Sequence, residues 1–160
     1  MREKIKSLAE AKRLRDEARA HGRKVVFTNG CFDLLHPGHV DYLEAAKCEG
    51  DLLIVGLNSD DSARRIKGAP RPLLPSDDRA ALLAGLAAVD VVVVFDEADP
   101  AALIKALLPE VLVKGADWPE DKIIGADLVK ANGGKVVRVP LTQGKSSSDL
   151  IERILKKHGE

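Results

Sequence analysis

The chain has 160 residues, with 25 basic and 25 acidic side chains, so its formal net charge at pH 7 is zero. That balance argues against a non-specific nucleic-acid binder, which needs a basic face. Apolar residues at 45% and charged ones at 31% fit one globular domain over 1–160, an N-terminal helix in 1–22 and a core in 23–160. No apolar run approaches the ~20 residues of a membrane span, and the charged N-terminus lacks the apolar stretch of a signal peptide. Two cysteines, Cys31 and Cys48, make no disulfide framework. A reduced, cytoplasmic setting is expected.

Residues 3–20 set Ile5, Leu8, Leu14 and Ala18 among many charges, the pattern of an amphipathic helix closed by His21-Gly22. Val25 to Thr28 reads as a buried strand that breaks at Asn29-Gly30. The chain then reaches His36-Pro37-Gly38-His39, after which Val40, Leu43 and Ala46 recur at helical spacing. This predicts strand, tight loop and helix, with the histidines at the helix mouth. Free N–H groups and the positive end of the helix dipole suit a phosphate there.

Leu52 to Leu57 is apolar on successive residues, as a parallel strand covered on both faces should be, and Asn58-Ser59-Asp60 closes it. A short helix and a mobile Gly/Pro-rich loop are expected over 61–75. A helix over 76–87 follows, with Ser76 as its cap and Leu82, Leu83 and Leu86 as its buried face. Val91 to Phe95 is the clearest strand. Asp99-Pro100 opens a helix through Leu107, and Val111 to Val113 forms a fourth strand running into Lys114-Gly115-Ala116-Asp117-Trp118. A helix near 123–131, a strand over 136–139, and a last helix with Leu150, Ile151, Ile154 and Leu155 as its core face complete the chain.

Strands alternating with helices predict an α/β fold: a Rossmann-like, doubly wound parallel sheet of five strands. Ligands of such sheets bind beyond the carboxyl ends of the strands, where strand order reverses. The polar clusters at 29–39, 58–60, 114–118 and 142–148 each follow a strand, so one shared site is expected.

His36 and His39 face one way on a helical turn, Gly38 between them leaves room for a phosphate, and together they suit charge developing in a displacement. Cys31, Asp33, His36 and His39 also raise a zinc reading. A structural zinc site draws two ligand pairs, and no second Cys/His pair exists, so no protein-bound metal is expected.

The string GCFDLLHPGHVDYLEAAK resembles the H-x-G-H signature of the nucleotidyltransferase superfamily that includes the cytidylyltransferases. Asn58-Ser59-Asp60, RPLLPSDDR, VLVKGADW and GKSSSDLIERI follow in family order, and the set is most similar to the bacterial ADP-heptose synthase nucleotidyltransferase domain. The resemblance implies transfer of AMP from ATP to D-glycero-β-D-manno-heptose 1-phosphate, with magnesium accompanying the triphosphate. It implies a stand-alone transferase, since this domain is fused to a sugar kinase in many bacteria, and by analogy a homodimer. Neither nucleic acid nor membrane is an expected partner.

Carried over by position, His36 and His39 would be catalytic, and Lys47 would reach a phosphate unless it is only a solvated helix lysine. Thr28, Asn29, Gly30, Cys31, Phe32 and Gly38 would line the nucleotide cleft, with Asp33 ordering the loop beside the substrate. Lys114, Gly115, Asp117 and Trp118 would meet the base, although Trp118 could equally anchor the core. Ser146, Ser147 and Ser148 would hold the β- and γ-phosphates at a second helix mouth, Ser146 also capping that helix. Asn58, Asp60, Lys67, Arg71 and Arg79 would attend the sugar phosphate, although Lys67 and Arg71 are equally readable as a solvated basic loop. Leu141 stands where some cytidylyltransferases carry an arginine, a charge that Lys145 would replace. The alternatives are a cytidylyltransferase acting on a polyol phosphate such as glycerol 3-phosphate, and a nucleotide-binding module without turnover.

Overall fold

In the computed structural model, which describes residues 1–159, the five apolar runs form one all-parallel sheet. The strands are β1 Val25–Gly30, β2 Leu52–Asn58, β3 Val91–Phe95, β4 Val111–Gly115 and β5 Lys135–Val139. The helices are α1 Leu8–Ala20, α2 Pro37–Lys47, α3 Asp60–Lys67, α4 Ser76–Gly85, α5 Ala101–Leu107, α6 Ala126–Ala131 and α7 Ser147–His158. Strand order is β3-β2-β1-β4-β5. The chain winds outward from β1 to β3, then returns to the other side of β1 to lay down β4. The switch point is therefore the crevice at the carboxyl ends of β1 and β4.

Successive residues of a strand point to opposite faces, and each face has its own core. Phe27, Ile54 and Leu112 pack on one side against α1, α5 and α6, through Ala11, Ala18, Leu103, Ile104, Leu107, Ala126 and Val129. Val26, Leu53, Val55 and Val113 pack on the other against Tyr42, Leu43 and Ala46 of α2 and Ala80, Leu83 and Ala84 of α4. No helix is long and apolar enough to cross a membrane among the described residues.

Three helices differ from the sequence expectation. α1 starts at Leu8, not residue 3, because Ser7 and Glu10 close a reciprocal capping box. Ile5 bridges Val92 at the edge of β3, and the Lys6 N–H donates to the Val92 carbonyl at 2.9 Å. In α4, Ser76 is the first helical residue and caps nothing; Leu83 is buried, whereas Leu82 is exposed and Leu86 half-buried. α7 buries none of its residues fully, and Ile154 and Leu155 are 55% and 61% exposed. Its N-terminal half lies against the body, where the Ser147 hydroxyl donates to the Leu34 carbonyl at 3.0 Å and Leu150 and Ile151 are half-buried. The stripe expected to face the core is exposed from Ile154 onward.

Candidate active site

The strand–loop–helix from β1 to α2 forms the floor. A Cβ on Gly30 would stand 2.9 Å from the Phe32 ring, and Phe32 itself has a left-handed backbone, φ 45°. The tight turn swings the chain so that Phe32 packs against His39, with ring centroids 5.4 Å apart. His36 caps α2 with Pro37 in the first turn, where a missing N–H costs nothing. The His36 and His39 rings stack at 3.8 Å with 24° between their planes. The His36 N–H donates to His39 Nδ1 over 3.4 Å, which leaves the ring proton on Nε2.

Burial, with His36 beside it as the lesser cause, holds His39 down at about 4. Burial and then Lys145 lower His36, and Asp149 opposes them only partly. Both rings are therefore neutral at pH 7 in the free protein. Uncharged, they can offer N–H donors rather than positive charge, and the α2 mouth adds its own N–H groups.

Facing them is the mouth of α7. The Ser146 hydroxyl accepts from the Asp149 N–H at 3.0 Å, forming the expected cap. A Cβ on Gly38 would lie 3.1 Å from the His36 ring and 3.1 Å from Lys145 Cβ, so the two mouths approach each other across a glycine. Between them lies a cleft of about 390 Å³. It is lined by Asn29, Gly30, Cys31, Phe32, Asp33, His36, Gly38, His39, Lys67, Arg71, Lys114, Gly115, Asp117, Trp118, Ser146, Ser147 and Ser148, as expected, and also by Tyr42, Leu141, Thr142 and Lys145. Tyr42 was legible in principle, being three residues beyond His39 on the same face. Its hydroxyl donates to the Val113 carbonyl at 3.2 Å, and burial pushes it up to about 12.

A second cavity of about 270 Å³ adjoins the first, sharing Asn29, Gly30, Cys31, Lys67, Lys114 and Trp118 with it. Its remaining walls include Asn58, Ile66, the Ala98–Pro100 approach to α5, and Lys122, Ile123 and Ile124 ahead of α6. Thr28 and Val113 face α2, so their successors Asn29 and Lys114 face α5 and α6. The two cavities thus straddle the sheet and meet over the ends of β1 and β4.

Several expected site residues serve elsewhere. Lys47 sits at the far end of α2, where its ammonium donates to Asp90 Oδ2 and the Asp51 carbonyl, both at 2.6 Å; it reaches no cleft. Arg79 is wholly buried and donates to the carbonyls of Leu74, Cys31 and Asn58 and to Asp60 Oδ1. It positions loops and touches neither cavity. Asp60 is its counter-charge, and Thr28 is buried in a 2.7 Å hydrogen bond with Tyr42. Asn58 reaches only the second cavity, and its amide donates to Ser62 Oγ at 2.9 Å. Trp118 is 50% exposed in the cleft wall, which removes the core-anchor reading.

Asp33 does order a loop, and a distant one. It accepts from Arg71 Nε at 2.6 Å and from the Leu73 and Leu74 N–H groups at 2.8 and 3.0 Å. Burial opposes its ionisation, but these donors outweigh it and hold its carboxyl below the usual range. The 68–75 loop expected to be mobile is tied to the cleft by that carboxylate. No three His, Cys, Asp or Glu side chains cluster as metal ligands among the described residues.

A switch-point crevice with an H-x-G-H helix mouth on one side and a serine-capped helix mouth on the other turns two sets of free N–H groups towards one cleft. The cytidylyltransferase-like family pattern matches residues 27–153, and the chain belongs to that family of nucleotidyltransferases. The protein from Trichlorobacter lovleyi named "Bifunctional protein HldE" is 54% identical over 140 residues, covering 88% of this chain and 28% of that protein. Its namesake from Geobacter sulfurreducens is 50% identical over 157 residues, covering 98% and 32%. The chain therefore spans about a third of the length of the curated relatives it matches. The crystal structure of the lipopolysaccharide core biosynthesis protein from Thermoplasma volcanium superposes with a TM-score of 0.61 at 29% identity, covering 78% of this chain and all of that one.

Proposed function

We propose that the protein transfers AMP from ATP to a sugar 1-phosphate, D-glycero-β-D-manno-heptose 1-phosphate, giving ADP-heptose and pyrophosphate. The observation that carries this reading is the pair of adjoining cavities: one lies between two anion-binding helix mouths, and the other shares a wall with it. The first suits a triphosphate and the second a phosphorylated acceptor. Relatives near 50% identity that carry the name HldE support the sugar assignment.

The acceptor's phosphate oxygen attacks the α-phosphorus, and the bond to the β-phosphate breaks. The nucleophile is already an anion at neutral pH, so no general base is required, and catalysis rests on positioning and charge stabilisation. His39 Nε2–H and the α2 N–H groups aim at charge on the leaving phosphates, and Ser146 to Ser148 hold its far end. Magnesium enters as part of the nucleotide substrate. Asp33, the most buried carboxylate in the cleft, is engaged by Arg71 and two N–H groups, so the nucleotide's own oxygens would supply the metal's ligands.

Leu141 favours adenine over cytosine. It lines the cleft against Gly115, where a Cβ would stand 3.1 Å from its side chain, and an apolar side chain there offers nothing to the cytosine 2-oxo group and costs adenine nothing. Pyrophosphate release is expected with ATP and heptose 1-phosphate, and not with CTP and glycerol 3-phosphate; the reverse preference would sink the assignment. His39→Ala should lower turnover by ~10²–10³, the cost of losing one transition-state donor, with the melting temperature little changed.

A further inference from the structure

The penultimate residue of β4 is a lysine whose surroundings differ from those of every other cation at the site. Lys114 is half-buried, borders both cavities, and makes no hydrogen bond or ion pair among the described residues. Lys67 shares both cavities but is exposed at the end of α3, and Arg71 is held by Asp33. Beside Lys114, Asn29 Oδ1 is buried without a donor. A buried amide oxygen without a donor and an ammonium without a protein partner thus share one wall, near the carboxyl ends of β1 and β4. A phosphate bearing a neighbouring hydroxyl would satisfy both.

We propose that Lys114 is a catalytic residue that holds the acceptor's attacking phosphate oxygen where the two cavities meet. The inference rests on the two-substrate reading above. Lys114 keeps its proton throughout. As the acceptor oxygen bonds to the α-phosphorus and the pyrophosphate oxygen departs with the old bonding pair, the ammonium offsets the repulsion between two anions brought into contact.

Its own ionisation supports this placement. Burial draws Lys114 down to about 8, with the Asp117 carboxylate on its own turn opposing the fall. Cys31 is pushed up by burial and is neutral there. Lys67 and Lys122 add positive charge from α3 and from the turn before α6, Asp99 adds negative charge from the approach to α5, and His39 is neutral on the α2 side. The free protein thus carries a poorly solvated ammonium that an incoming phosphate would stabilise.

The test uses the full chain and Lys114→Met and Lys114→Arg. Inorganic phosphate is titrated onto the complex with a non-hydrolysable ATP analogue, a measurement that needs no particular sugar. Lys114→Met should bind the analogue as the parent does and lose phosphate affinity by about tenfold or more, with a melting temperature equal to or above the parent's. In turnover, Lys114→Met should lower kcat by ~10². The parent's kcat/KM for acceptor should fall as pH rises through about 8, a limb that Lys114→Arg moves to higher pH. Equal phosphate binding by parent and Lys114→Met, no phosphate binding by the parent, or loss of the ATP analogue in Lys114→Met would each overturn the proposal. Phosphate capture that depends on Lys114, in a protein that does not turn over heptose 1-phosphate, would instead leave Lys114 in place and reject only the sugar.

Discussion

Arg79 shows how little a residue's charge says about where it works. Carried over by its position in the family, it was expected to attend the sugar phosphate. In the fold it is fully buried, and its guanidinium joins the loops after β1 and β2 to the segment entering α4. A buried charge is tolerated only with such partners, and breaking the set by removing one member costs ~3–5 kcal/mol. Arg79→Met should lower the urea midpoint accordingly. His39 carries the complementary lesson, since it is uncharged at neutral pH. Its folded form takes a proton only near 4, whereas an unfolded histidine does so near ~6.5. The unfolded state therefore binds more protons in between, and this part of the stability is lost as pH falls from about 6.5 towards 4. The urea midpoint should decline across that window, and less steeply in His39→Gln.

Among the elements, α7 is the one whose amphipathic pattern misled. Leu150, Ile151, Ile154 and Leu155 have ideal spacing for a buried stripe, but periodicity reports which face is apolar, not whether anything lies against it. Here the sheet ends at β5, and Ile154 and Leu155, in the C-terminal half of α7, stay exposed. Ile154→Ser with Leu155→Ser should therefore change stability by no more than ~0.5 kcal/mol, as exposed substitutions do. Leu83→Ala in α4 should cost ~2–5 kcal/mol by opening a cavity. The five strands and the mouth of α2 were readable because they rest on local signals: continuous apolar runs, and Pro-Gly between two histidines. Lys47 was misread because helix spacing cannot reveal that Asp90, forty-three residues on, waits at the other end of α2. The Asp33 clasp on the 71–74 loop was invisible for the same reason, being a contact across forty residues.

At the scale of the whole molecule, the shared site was legible as a consequence of topology. In a parallel sheet every polar cluster after a strand emerges on one edge, and 29–39, 114–118 and 142–148 do meet in one cleft, whereas of 58–60 only Asn58 reaches the adjoining cavity. The division of that edge into two cavities was not legible. It depends on which face Asn29 and Lys114 take and on the turns before α5 and α6, neither of which has a distinctive sequence pattern. The straddled edge also bears on the proposed reaction. In that reaction ATP and the acceptor would each fill one cavity, and pyrophosphate part of the first. The sugar nucleotide, built from parts of both substrates, would lie across the strand ends and occupy both. It would then compete with either substrate, so accumulating product would slow the reaction that made it.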